Sequence, residues 1–185
     1  AQGQTVLLSQ TGQTMCWDEE GVEINCAGTG HDGDIRAGLT IPEPRFVDNG
    51  DGTVTDNITN LIWLQDWFCP DINPGGSNTQ RSRWQDAVDL THQTLQDGIC
   101  GLTDGSNAND WRIPNIKELL SVVDYRLCDP TINNFIFHNV RSDLYWSSTT
   151  NEEIPRTAWQ VNFRDGKDTF SSKIFLAGFA TAVRN

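Results

Sequence analysis

The fold class this chain predicts is α+β, with two helices packed on antiparallel sheets. Three observations carry it. Short β-rich segments separated by Gly, Asp and Asn turns fill residues 45–64, two helical patterns lie between residues 82 and 123, and a second β-rich series follows Tyr145. The 185 residues leave room for one such domain, over 45–185, and an irregular N-terminal extension, over 1–44.

The extension is rich in Gly, Thr and Asp and has no sustained periodicity. Its first residues, "AQGQT", have the look of a mature end left by signal-peptide removal, which predicts a secreted or cell-surface protein. The segment 1–14 contains the β-prone "TVLL" without an obvious core partner, so it is a candidate for pairing with the sheet edge of a neighbouring molecule. "MCWDEEGVEINC" reads as two short extended pieces around Glu20-Gly21, a hairpin whose open end a Cys16–Cys26 disulfide would staple. "GTGHDGDIRAG" reads as a polar loop.

From Arg45 the pattern sharpens. Phe46 leads into a turn at Gly50-Asp51-Gly52, Thr53-Val54-Thr55 is a β-rich return, and Asn57-Ile58-Thr59-Asn60 turns into the apolar strand Leu61-Ile62-Trp63-Leu64. The Asp/Gly content suggests a calcium loop. Placing Asn49, Asp51 and Gly52 at the third, fifth and sixth positions of an EF-hand loop leaves Val47 and Ile58 where carboxylates are required, so that reading fails.

Two helices follow. In "SRWQDAVDLTHQTLQDG", Ser82 and Gln85 form a capping-box pattern. Trp84, Ala87, Val88, Thr91 and Leu95 share one face, and Gly98 is placed to end the helix. In "DWRIPNIKELL", Pro114 forces Ile113 to be extended, Asn115 and Glu118 form a second capping box, and Ile116, Leu119, Leu120 and Val123 make the buried stripe. The stretch is expected to be a fold corner: Trp111 buried, Arg112 in a half-buried polar contact, Pro114 and Asn115 starting the helix. After Tyr145, "LYWSSTT", "TAWQVNF", "DTFSS" and "KIFLAGFATAV" read as strands, with Asp165-Gly166 turning between the second and third.

Composition narrows the function. The net charge is -12, and it is unevenly spread: residues 1–110 hold 17 acidic and 4 basic side chains, residues 111–185 hold 8 and 9. So acidic a chain argues against nucleic acid and against sulfated polysaccharide, which reward clusters of Lys and Arg. The longest apolar run, "KIFLAGFATAV", is far short of the roughly 20 residues of a membrane span. His31, His92 and His138 are scattered, and the sequence has no C-x-x-C pair, G-x-S-x-G elbow or phosphate-cradling glycine loop. No enzymatic activity is expected.

Several motifs in one order carry a resemblance. "RFVDNGDGTVTDNITNLIWLQD", "CGLTDGSNANDWRIPNIKELLSVVDYR", "YWSSTT" and "AVRN" resemble the bacterial family named for the C-terminal domain of the Legionella collagen-like adhesin. The helix with Trp84 and Ala87, the "WRIPN" helix start and the late "YWSS" are similar to the wider C-type lectin-like group, near its sulfatase-modifying-factor branch. The resemblance implies a C-type lectin-like fold and an exported or surface-attached binding domain, in some members an adhesin for glycosaminoglycans. That ligand needs a basic surface, from which this acidic chain departs. The copper-binding thiol pair of the sulfatase-modifying relatives is missing too, since the last cysteine is Cys128. Relatives often carry cysteines at the positions of Cys69 and Cys100, which implies a Cys69–Cys100 disulfide and leaves Cys128 unpaired.

Two loops are the candidate sites. "TDGSNAND" gathers Asp104, Asn107, Asn109 and Asp110, hard oxygen donors suited to Ca²⁺; the competing reading is a metal-free loop built from Asx turns. The connection from Arg126 to Asp143 and the strands after Tyr145 lie where lectin-like folds carry variable loops. Phe135, Phe137, Tyr145 and Trp146 are therefore the ligand or interface candidates, against the alternatives of a lid over the core and a core tryptophan. The expected function is an exported, non-enzymatic binding or adhesion domain recognising a surface protein, a glycan or its own copies. The alternative is a structural subunit of a surface assembly, held through the N-terminal segment.

Overall fold

The computed structural model describes residues 8–75 and 81–185. Among these, nine strands form three antiparallel sheets, with three helices between them. The class is α+β. The extension holds a two-stranded hairpin, β1 (Cys16–Trp17) and β2 (Glu23–Ile24), closed by the Cys16–Cys26 disulfide. Its segment 28–38, where the sequence predicts only a polar loop, contains a one-turn helix, α1 (Asp32–Ile35). The segment 1–14 divides. Residues 1–7 lie outside the described residues, while Ser9 already has an in-chain neighbour: Leu39 N–H donates to Leu8 O (2.8 Å) and Gln10 N–H to Leu39 O (3.0 Å).

β3 (Phe46–Asp48), β4 (Thr53–Asp56), β5 (Ile62–Leu64) and β9 (Val183–Arg184) make a four-stranded sheet in the order β3-β4-β5-β9. The β3–β4 turn is knotted by its own carboxylates. Asp48 accepts from Gly50 N–H (2.8 Å), and Asp51 accepts from the N–H and hydroxyl of Thr53 (3.0 and 2.6 Å). Gly52 is obligatory there: its φ is +84°, and a Cβ would stand 2.4 Å from Gly101 O. β6 (Leu144–Thr150), β7 (Thr157–Asn162) and β8 (Lys167–Ser172) form the third sheet, with β8 at its edge.

Helix α2 (Trp84–Thr94) packs on β6, and α3 (Ile116–Ser121) packs on β6 and β7. The apolar stripe of α2 faces inward, but its ends differ from expectation. Arg83 is the N-cap and makes no side-chain cap bond; Ser82 is buried one step earlier, its hydroxyl donating to Ile72 O (3.2 Å). At the other end Leu95 turns extended to bury its side chain, so Gly98 falls in a separate turn, donating to Leu102 O (2.8 Å). Tertiary burial outweighed both local cap signals.

The core has two compartments because the central strands are covered on both faces. Successive residues of a strand point to opposite sides. Trp63 enters a cluster with Trp67, Leu119, Phe137, Tyr145 and Phe163; its neighbour Leu64 enters one with Ala87, Leu102, Trp111, Ile113 and Trp146. Tyr145 and Trp146 divide in the same way, as do Val183 and Ala182.

Candidate interaction surface

The corner at 104–118 is a closed polar circuit. Asp104 accepts from the N–H and hydroxyl of Ser106 (3.2 and 2.7 Å), an Asx turn, and its other oxygen accepts from Arg184 (2.9 Å). Ser106 Oγ in turn accepts from the indole N–H of the fully buried Trp111 (3.0 Å), over whose ring Arg184 lies at 5.2 Å. Asp110 accepts from Asn107 N–H (2.7 Å), and Asn109, at φ +80°, donates its backbone N–H to His92 O (2.6 Å). Both oxygens of Asp104 are thus engaged by protein donors, and its side chain is 1% exposed. Asp104 is therefore the least available of the four candidate Ca²⁺ donors, since a cation would compete with an arginine for its carboxylate, whereas Asn107, Asn109 and Asp110 are exposed.

Past Trp111 the backbone of Arg112 pairs with Val183 in both directions (3.1 and 2.9 Å), extending the edge beyond β9. Its guanidinium forks onto Glu118 (2.7 and 2.8 Å), and Glu118 also accepts from Asn115 N–H (2.8 Å). Asn115 completes the capping box by accepting from the N–H groups of Lys117 and Glu118 (2.9 and 3.0 Å). Burial acts to raise the Glu118 carboxyl, but the Arg112 fork and the Asn115 N–H outweigh it and hold the group below the ordinary carboxylate range. The contacts named here are internal, while Asn109, Asp110, Arg112 and Arg184 also line a hollow at the surface.

The Arg126–Asp143 connection contributes little more. Phe137 is fully buried between Phe46 (4.9 Å) and Trp67 (5.4 Å) and belongs to the core. Tyr145 and Trp146 are also fully buried: the Tyr145 hydroxyl accepts from Arg141 N–H (2.9 Å), and the Trp146 indole donates to Ser82 O (2.9 Å). Burial pushes the Tyr145 phenol well above its ordinary range. These three cannot touch a partner without unfolding, so as interface residues they are corrected to core. Phe135 alone of the four stands out, 90% exposed.

A larger apolar surface lies where a strand was expected. "KIFLAGFATAV" is not continuous β-structure: Lys173-Ile174 turn, Gly178 and Phe179 make single bridges, and only Val183 belongs to β9. Ile174, Phe175 and Leu176 protrude, 70%, 62% and 50% exposed, and Phe170 of the preceding β8 is exposed too. The base of this tip is firmly tied. Lys173 N–H donates to Arg156 O (3.0 Å), Trp84 N–H to Lys173 O (3.1 Å), and the Gln160 amide to Ala177 O (3.1 Å). A Cβ at Gly178 would stand 2.4 Å from the Gln160 amide nitrogen, so a larger residue there would displace the amide that bonds Ala177 O. Lys173 Nζ sits 4.1 Å above the Trp84 ring and donates to Thr150 (2.7 Å), and Trp159 packs edge-on against Phe170 (5.6 Å).

The profile of the Lcl C-terminal domain matches residues 52–184. The chain belongs to that family. No curated protein and no solved structure gives a significant match. In this Lcl C-terminal domain the matched region contains the corner, both core compartments and the tip, while the stapled hairpin precedes it. The family is adhesin-related rather than an enzyme class, which implies an extracellular or cell-surface role.

Both expected disulfides are formed, Cys16–Cys26 and Cys69–Cys100, and Cys128 is a free, exposed thiol. Asp71 lies close to the second bridge, 3.6 Å from Cys100 Sγ, but the two sulfurs are bonded to each other and not available as thiolate ligands. Among the described residues no helix is long and apolar enough to cross a membrane. The tip escaped the sequence reading because Ile, Phe and Leu invite a strand. The available signal was the lack of alternation: three bulky apolar residues in succession cannot share one face of a strand.

Proposed function

We propose that this Lcl C-terminal domain is a non-enzymatic adhesin-type domain that attaches to a cell surface through the Ile174–Leu176 tip. One observation carries the reading. Three large apolar side chains, Ile174, Phe175 and Leu176, are held exposed on a tip whose base is fixed by at least four hydrogen bonds, and so ordered an apolar exposure suits an interface. A C-type lectin-like arrangement, implied by the family resemblance, agrees with function residing in loops on a rigid scaffold. The tip suits an apolar partner better than a sugar: the Trp84 ring is occupied by Lys173, Trp159 meets Phe170, and the most exposed atoms are aliphatic or phenyl.

The test is attachment of beads coated with the full chain to cultured cells. Replacing Ile174, Phe175 and Leu176 together by Ser should abolish attachment while leaving the melting temperature within a few degrees, because these side chains are already in water. Undiminished attachment by that variant would sink the reading.

A further inference from the structure

The tip carries more than apolar surface. Its backbone bonds bring three cationic residues to its base: Arg156 accepts the Lys173 N–H, and Arg83 directly precedes Trp84, which donates to Lys173 O. Arg83 and Arg156 are exposed, and among the described residues no ion pair involves Arg83, Arg156 or Lys173. Asp86 is the acidic residue sharing the hollow that Arg83, Trp84, Lys173 and Ile174 line. A cationic collar around a protruding Ile-Phe-Leu is the reverse of the chain's overall charge of -12.

We propose that this tip engages a lipid bilayer bearing anionic headgroups, Ile174, Phe175 and Leu176 entering the interface while Arg83, Arg156 and Lys173 meet the headgroups. The proposal rests on the tip being the attachment surface and names what it attaches to. The chemistry matches in both layers. Aliphatic and phenyl groups leave water for acyl chains, as on the apolar face of an interfacial helix, and basic residues near the surface each gain from anionic lipid. A protein partner would need polar groups along the tip to fix register; Ile174 to Leu176 offer only backbone and hydrocarbon. The net negative charge does not forbid approach, because at physiological ionic strength charges farther than about 8 Å are largely screened. The local balance therefore counts: Arg83, Arg156 and Lys173 against Asp86 in the hollow and the exposed Glu152 and Glu153 before Arg156. Lys173, spread over Trp84 and bonded to Thr150, holds the collar's geometry rather than searching for it.

Flotation of the full chain with vesicles tests this, using phosphatidylcholine alone and phosphatidylcholine mixed with phosphatidylserine. The wild type should float with the mixed vesicles, more weakly with the neutral ones, and less as salt rises. The triple Ser variant at 174–176 should lose flotation with both. R83Q/R156Q should keep the neutral-vesicle level and lose the preference for phosphatidylserine, roughly fivefold per basic residue. In Phe175→Trp, brominated lipid should quench the new fluorescence relative to the wild-type tryptophans. Absence of flotation while beads still attach through the tip would overturn the lipid assignment and leave the adhesion reading standing. Attachment independent of the tip would overturn both. A change of mass in solution caused by the triple Ser variant, seen by light scattering, would show that a second copy occupies the tip and would also overturn the lipid assignment.

Discussion

The corner at residues 104–118 and the tip at 173–178 are opposites in composition and in fate. The corner is polar and rich in Asp and Asn, the kind of segment that normally faces water or an ion, yet its polar atoms are spent on one another around the buried Trp111. The tip is apolar, the kind of segment that normally builds a core, yet it stands in solvent. Composition gives the average environment of a residue type; hydrogen-bond closure decides the actual one. A polar loop that can satisfy its donors internally can go inside. An apolar loop whose base is tied by backbone bonds can be kept out.

The sharpest way to break this contrast is Trp111→Ala beside the triple Ser variant of the tip. Emptying the Trp111 site should cost about 3–5 kcal/mol and lower the melting temperature by roughly 10 °C or more, since each kcal/mol moves a domain of this size about 2–4 °C. The tip variant, with three residues changed, should melt within a few degrees of wild type. Equal losses would mean that the tip is core after all. The same experiment can be done at closer range, in one loop. Phe137→Ser removes a fully buried ring and should cost at least about 3 kcal/mol, whereas Phe135→Ser, two residues away, should stay within about 0.5 kcal/mol. Urea titrations of both would show it.

Smaller effects sharpen the corner itself. Asn115→Ala should cost about 1 kcal/mol through loss of the cap. Glu118 titrates below its ordinary value when folded, so its contribution is present above the unfolded pKa of about 4.3 and is lost as pH falls through the lower folded value. Glu118→Gln should therefore be less stable at neutral pH, with a flatter decline in melting temperature below about pH 4.5 than wild type. The smallest effect expected is that of calcium. With Asp104 committed to Ser106 and Arg184, millimolar Ca²⁺ and EDTA should leave the melting temperature unchanged; a rise of several degrees with Ca²⁺ would show that the circuit opens to admit the ion.

How much of this was legible follows the same division. Local chemistry could be read where the same residues supply both the signal and the answer. The Asn115–Glu118 box, the turns at Gly50–Gly52 and Asp165-Gly166, and the hairpin between Cys16 and Cys26 all close within a few residues. Ser82 misled because its hydroxyl is claimed by Ile72, on another segment. Tyr145 and Trp146 looked like adhesive aromatics because nothing local records that β6 is covered on both faces. The tip was hidden for the converse reason: its exposure depends on Arg156, Trp84 and Gln160, three contacts far away in sequence.

The position of β9 sets the order in which the molecule can be made. Ile62 and Trp63 wait for Arg184 and Val183 as their partners, roughly 120 residues later in the chain, and Arg112 waits for the same strand. Until that strand is available, β5 is the edge of the sheet and lacks its outer neighbour, β9. Ile62 and Trp63 have an open flank until then, while Val54 in β4 is already paired on both sides. Loss of Val183 and Arg184 would therefore be felt at two distant places at once, β5 and the backbone of Arg112.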